Sequence, residues 1–269
     1  VKSSRFKSFI GIDQTGAVLQ NGSVKKLPCT IVDLYKGKKR ARTNIFLSGL
    51  YPDAFLEIVP YERLIDSFIL VDSVLGIPAE NTINMPLRKL FKKANAYQFE
   101  GKKYGASVAH RFFNEVVLNA RDDQLLPTRH AERLTKANSI FKLKPFQKNI
   151  GCGTFRVWKD LDVDQNWYTI WPFENQEASK AFIAEGYPSF LWKTFIKSPR
   201  GDEKGLLKFA KSRGISIDFG GYSSFFSVDS MDSFVLALFA AFENSQILLI
   251  PPSKSVVKKE GWIFGLTSY

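Results

Sequence analysis

The sequence predicts an α/β protein in which a mixed β-sheet is flanked by helices. Three observations carry that expectation. Ser8-Phe9-Ile10-Gly11-Ile12 is a short, largely apolar run that ends on one carboxylate, Asp13, and Ser67-Phe68-Ile69-Leu70-Val71 repeats the pattern and ends on Asp72. Runs of this length, rich in β-branched and aromatic residues, suit strands buried on both faces. Between them, two strand-like runs joined by a short polar turn continue the first strand into an antiparallel meander. Far downstream, residues 234–242 are apolar without a break, so a helix there has to be packed all round.

Taken in order, Cys29-Thr30-Ile31-Val32-Asp33-Leu34-Tyr35 alternates in the strand manner, Lys36-Gly37-Lys38-Lys39 turns, and 42–47 forms the third strand. Pro52 opens a short helix that Pro60 interrupts. If the fourth strand, 67–71, returns beside the first and parallel to it, Asp13 and Asp72 emerge at the same sheet edge.

Within one domain spanning 1–269, the stretch from about 79 to 178 reads as a long helical and basic insertion. Helices are expected at 87–94 and 104–120, the second with Val108, Phe112, Phe113, Val116 and Val117 on one apolar face. In 139–158, Phe141, Phe146, Phe155 and Trp158 interleave with Lys142, Lys144, Lys148 and Arg156. Such a mixture either tracks phosphates and stacks bases or places its aromatics in the core. The sheet resumes at 180–185 and again stops on an acid, Glu185. Helices to Ile196 and over 205–212, the second stopped by Gly214, lead to Asp229 and Asp232 at the start of the apolar helix. Those two share a helix face, although a capping pair would look the same. Residues 247–250 and an edge strand at 260–265 close the chain.

Composition narrows the partners. A net charge of +12, most of it between Arg88 and Asp160 where 16 basic side chains face 6 acidic ones, is a footprint for polyanions such as nucleic acid, or else a solvated face. Arg88, Lys89, Lys92, Lys93, Lys102, Lys103 and Arg111 are the candidate phosphate contacts, with Lys142, Lys144, Lys148 and Arg156. Two cysteines, Cys29 and Cys152, match no zinc spacing and suit a reducing cytoplasm. The basic N-terminus leads into a strand and not into a signal core, and no apolar run approaches a membrane span, so a soluble protein is expected. Gly151-Cys152-Gly153 lacks the third glycine of a dinucleotide loop.

The strand-end acids carry the chemistry. Asp13 needs a metal ion, a basic side chain or turn hydrogen bonds if it is buried. Asp13, Asp72, Glu185, Asp229 and Asp232 all end or begin elements that should converge, and converging like charges call for a cation. With no His or Cys among them, magnesium or manganese is the expected ion.

In this order, Gly11-Ile12-Asp13, Asp72-Ser73-Val74-Leu75-Gly76-Ile77-Pro78, Glu185-Gly186-Tyr187-Pro188, Asp229-Ser230-Met231-Asp232 and Glu260-Gly261-Trp262-Ile263 resemble the predicted RNase H-like nuclease family known as domain of unknown function 429. The resemblance implies an RNase H-like fold of the Holliday-junction-resolvase type. It further implies that Asp13, Asp72 and an acid of the last helix hold metal, with Glu185 as a further acid. The reading that follows is a two-metal site that hydrolyses phosphodiester bonds of DNA or RNA, with Asp13 shared by both ions, Asp72 and Asp232 each holding one, and Asp229 or Glu185 orienting water. Val74 stands where the family usually has proline, and Val228 where it often has histidine or an acid. A binding module that kept the fold without the reaction is the alternative. Asp13-Gln14-Thr15-Gly16 also loosely matches the first phosphate turn of sugar-kinase and actin-like phosphotransferases, which need a second glycine-rich loop that this chain lacks.

Overall fold

The computed structural model describes residues 6–14, 18–19, 24–35, 38–47, 66–78, 85–118, 128–137, 139–142, 150–163, 166–175, 177, 180–243, 257 and 260–266. The expected turns at Thr15-Gly16 and Lys36-Gly37, the short helix after Pro52, the run 247–250 and residues Lys144, Phe146 and Lys148 lie outside them, as does the side chain of Lys142.

The fold is α/β, with a mixed seven-stranded sheet flanked by helices. Its strands are β1 (Ser8–Ile12), β2 (Leu27–Tyr35), β3 (Lys38–Leu47), β4 (Ser67–Val71), β5 (Tyr168–Ile170), β6 (Ala181–Glu185) and β7 (Ile215–Asp218), in the order β5-β6-β4-β1-β2-β3-β7. β1, β2 and β3 form the antiparallel meander. β4 runs parallel to β1 in the register Ile12 to Val71, and β6 runs parallel to β4. The two short strands β5 and β7, parallel to β6 and β3, carry no clear sequence signal. In place of an edge strand at 260–265 there is one parallel bridge, Ile263 to Glu185, with Phe264 N–H donating to the Glu185 carbonyl at 2.8 Å.

Alternation along the central strands sorts two cores. Ile10, Ile12, Ile31, Ile69, Val71 and Ile183 face one side, against α1 (Leu87–Ala96), α2 (Ala106–Arg111, continued by a π-helical segment Phe112–Leu118) and α4 (Ile150–Asp162). Phe9, Val32, Phe68, Leu70 and Phe182 face the other, against α5 (Pro188–Leu191, continued as π-helix Trp192–Ile196), α6 (Glu203–Ser212) and α7 (Val228–Glu243). A short α3 (His130–Thr135) lies between them in sequence. The region read as an insertion therefore supplies one helical layer of the sheet together with strand β5.

α4 changes the reading of 139–158. Phe155, Trp158 and the nearby Phe141 are core residues in edge-to-face or tilted contact with Phe112 and Phe113, not a stacking platform. Gly151-Cys152-Gly153 lies inside the helix, and Gly153 leaves room for Gln14, whose Oε1 would sit 0.9 Å from an added Cβ. Lys159 is buried too, and its Nζ donates to the carbonyls of Ala94, Asn95 and Tyr97, satisfying the end of α1.

α7 is buried along 230–241 and lies directly on β1. Gly11 permits this, since a Cβ there would meet the Ser233 carbonyl oxygen at 1.9 Å and the Ala237 nitrogen at 2.5 Å. The approach sets the first turn of α7 over the end of β1, beside Asp13.

Candidate metal centre

Asp13 and Asp72 are the first residues past β1 and β4. Because those strands are parallel neighbours in register, the two acids leave the sheet side by side, roughly one strand spacing of about 4.8 Å apart along the edge. The Asp72 N–H donates to the Ile12 carbonyl at 2.9 Å, which fixes the exit of both chains.

Asp13 is 4% exposed. Burial, followed by the charges of Asp72, Asp232 and Asp229, pushes its carboxyl well above the usual carboxylate range. Burial and the Asp232 charge push Asp72 up to about 7, and the two carboxyls are within hydrogen-bonding reach of each other. Among the described residues no N–H or hydroxyl donates to the buried Oδ1 of Asp72. Asp232 is fully buried; its Oδ1 accepts from Trp192 Nε1 at 2.6 Å and its Oδ2 from Arg200 Nε at 2.8 Å and from Arg200 Nη2. Burial raises its pKa while Arg200 and Trp192 oppose the rise. Tyr187 stands near enough for burial and the Asp72 charge to raise its phenol.

The capping reading of Asp229 and Asp232 gives way to another pair. Ser227 and Ser230 form the cap, with Ser230 N–H donating to Ser227 Oγ at 3.2 Å and Ser227 N–H to Ser230 Oγ at 3.0 Å. Both aspartates of α7 are thereby left to face the acids of the sheet edge.

Glu185 is differently placed. Its carboxylate is held by buried Arg129, Nη1 to Oε2 at 2.8 Å and Nη2 to Oε1 at 2.5 Å, and Leu75 N–H donates to Oε2 at 2.9 Å. Arg129 also binds Glu132 through Nε at 3.0 Å and the Glu260 carbonyl through Nη1 at 3.2 Å. With its hydrogen-bonding capacity directed to a guanidinium and a backbone amide, Glu185 is a structural ion-pair partner beside the acid cluster, and its charge reaches Asp72 only at a distance.

The structure therefore brings Asp13 and Asp72 together, sets Asp232 and Asp229 near enough for their charges to act on Asp13, and diverts Glu185. No family model, curated protein or solved structure matches this chain. The arrangement has to be read from its own chemistry. Among the described residues no three His, Cys, Asp or Glu side chains are grouped closely enough to hold a metal ion, these four acids included. The chemistry of the Asp13–Asp72 pair nonetheless suits a hard divalent cation: oxygen atoms only, carboxyls pushed up by burial and by one another, and one buried carboxylate oxygen with no donor among the described residues. Arg200 supplies one positive charge to that set. Sequence reasoning missed Arg200 and Arg129, since both come from connecting segments and the acids they hold at the site, Asp232 and Glu185, lie more than thirty positions away.

The predicted phosphate contacts divide. Lys89, Lys92 and Lys93 on α1, and Lys102 and Lys103 beyond it, are exposed. Arg111 is exposed but paired with Glu115 and set over the Phe99 ring. Arg88 is bound to Glu174, with Nε at 2.5 Å, and lies over Tyr168. Arg156 is 1% exposed and donates to the Lys25 carbonyl, so it is an interior residue and not a surface contact. Its position in α4 turns it inward between the sheet and the helix layer.

The raised carboxyls make stability depend on pH. Between the ordinary aspartate value of about 3.9 and the folded value near 7 the native state holds more protons than the unfolded chain, so stability is full below the lower value and falls as pH rises through the upper one. In chelator, the thermal midpoint is expected to be higher at pH 5 than at pH 8. Asp72→Asn should flatten that difference and raise the midpoint at pH 8 by several degrees, at about 2–4 °C per kcal/mol. A variant that melts lower than the parent at pH 8 would contradict the mutual repulsion.

Proposed function

We propose that this chain has an RNase H-like fold and acts as a magnesium- or manganese-dependent nuclease hydrolysing phosphodiester bonds of DNA or RNA. The observation that carries the reading is the pairing of Asp13 and Asp72 at the ends of adjacent parallel strands, within the field of Asp229 and Asp232 of α7, with one buried Asp72 oxygen that no donor serves among the described residues. A three-strand meander followed by parallel strands, with the acids at one edge, supports it.

In this reading Asp13 and Asp72 hold the cation and Asp229 completes the anionic rim. Asp232, whose Oδ1 accepts from Trp192 and whose Oδ2 accepts from Arg200, is the anchored acid of the set and adds its charge beside the other two. When bound, a divalent ion lowers the pKa of water and stabilises charge on the phosphate oxygens. Burial strengthens each of these interactions by excluding solvent. Arg200 places a guanidinium between the acids and the outside, where it meets an incoming phosphate as a fork of donors. The exposed lysines of α1 supply sequence-independent attraction for the strand.

A second reading is favoured by that same guanidinium: Arg200 already neutralises Asp232, as a binding module without catalysis would require. Incubating the protein with labelled single- and double-stranded oligonucleotides, with magnesium, manganese or chelator, separates the two. Metal-dependent cleavage supports the nuclease; binding that is indifferent to metal, without cleavage, supports the module.

A further inference from the structure

Beside the acid cluster, and outside every residue named above as a phosphate contact except Arg200, lies a cleft of about 430 Å³ lined by Ser189, Trp192, Lys193, Lys197, Ser198 and Arg200 with Pro199. It shares a wall with the acids, because Trp192 and Arg200 are the two residues that hold Asp232. The cleft itself has no acidic lining. Three cations therefore converge on a concave surface immediately outside a buried cluster of carboxylates.

Their commitments differ. Arg200 gives Nε and Nη2 to Asp232, leaving Nη1 directed elsewhere. Lys193 and Lys197, both exposed, form no ion pair among the described residues. Lys197 is held at φ 59° and ψ 42°, the left-handed cap of the π-helical segment, so the chain turns sharply there and carries Ser198, Pro199 and Arg200 around the same cleft. Arg200 is balanced by Asp232, but Lys193 and Lys197 bring two further positive charges to the same concavity with no acidic group in its lining, so an anion entering it meets net positive charge. A guanidinium edge and two ammonium groups around a small concavity suit a phosphate, the first as a planar donor and the others as point charges.

We propose that this cleft is a phosphate subsite, binding the backbone phosphate of a nucleic acid strand next to the bond that the acid cluster would hydrolyse. The ligand class rests on the nuclease reading; the subsite rests on the three cations and their wall. It sets the strand's path along α5 and over Arg200, with the lysines of α1 as a separate, diffuse contact.

The test measures fluorescence anisotropy of a labelled single-stranded DNA in chelator, so that binding is read without cleavage, across a salt series. Lys193→Gln/Lys197→Asn is the variant, asparagine being chosen because it tolerates the left-handed backbone at 197. Lys208→Gln/Lys211→Gln on exposed α6 is the control of equal charge. The expected result is roughly tenfold weaker binding for the first variant at low salt and a salt slope smaller by about 1.4, the loss of two single-strand phosphate contacts, with the control near the parent. Thermal melts establish that both variants fold. Parent protein that does not bind, a Lys193/Lys197 variant that binds as the parent does, or a control equally weakened would overturn the subsite. Binding lost in the variant together with no cleavage by the parent in manganese leaves the subsite standing and removes the nuclease reading.

Discussion

Asp13→Asn is expected to reduce metal-dependent cleavage by at least about 10³-fold, the scale of removing one charge-stabilising group from a preorganised site. Asparagine keeps the volume of the side chain and its hydrogen bond to Asp72, so the exit of β1, the packing of α7 on Gly11 and the positions of Trp192 and Arg200 are left in place. What it removes is a carboxyl whose ionised form burial and the neighbouring aspartates disfavour and a cation would stabilise. The variant should therefore be no less stable than the parent at pH 8 and should bind oligonucleotide in chelator with little change. Loss of cleavage with retained folding and binding identifies a chemical role. A variant that cuts at the parental rate would remove Asp13 from the mechanism, and with it the reason for grouping these acids.

Arg129→Met is expected to have the largest effect on stability, about 3–5 kcal/mol, measured by urea unfolding. Arg129 is 1% exposed and serves Glu185 with two hydrogen bonds, Glu132 with one and the Glu260 carbonyl with another. Its guanidinium stays charged because the two glutamates outweigh the cost of burial. Methionine fills much of the space but leaves Glu185 and Glu132 buried without a counter-charge. Adding Glu185→Gln should recover part of the loss, because one of the stranded charges is then gone, while Leu75 N–H keeps an acceptor. A single variant within about 1 kcal/mol of the parent would mean that Glu185 is served by something other than Arg129, and would return Glu185 to the set of possible metal ligands.

Arg129 and Arg200 mark where sequence reading ends. β1, β4 and β6 are legible because each is a continuous apolar run closed by an acid, a pattern that follows from burial on both faces. α7 is legible for the same reason, as an apolar stretch too long for a strand. The register that sets Asp13 beside Asp72 follows once β1 and β4 are taken as parallel neighbours. β5 and β7 are three and four residues long, too short to show an alternation, and are made strands by their neighbours. Arg156 and Trp158 looked like parts of a basic, aromatic surface because both types also occur in a helix buried all round that ties its polar groups to backbone carbonyls, Arg156 to Lys25 and Trp158 Nε1 to Val74. Local pattern identifies which groups need a partner. The choice of Arg129 for Glu185 and of Arg200 for Asp232 depends on loops brought in from elsewhere in the chain, and no spacing rule encodes it.

The proposed nuclease depends on Asp13 and Asp72 holding a divalent cation. Titrating manganese into the protein at pH 8 by isothermal calorimetry, with Asp72→Asn alongside, addresses it without reference to any substrate. The parent should bind manganese, and the variant should bind it at least about tenfold more weakly, since even groups that only orient a ligand change metal affinity by that much. Parent protein that takes up no manganese at millimolar concentration, or a variant that binds as tightly, would contradict it.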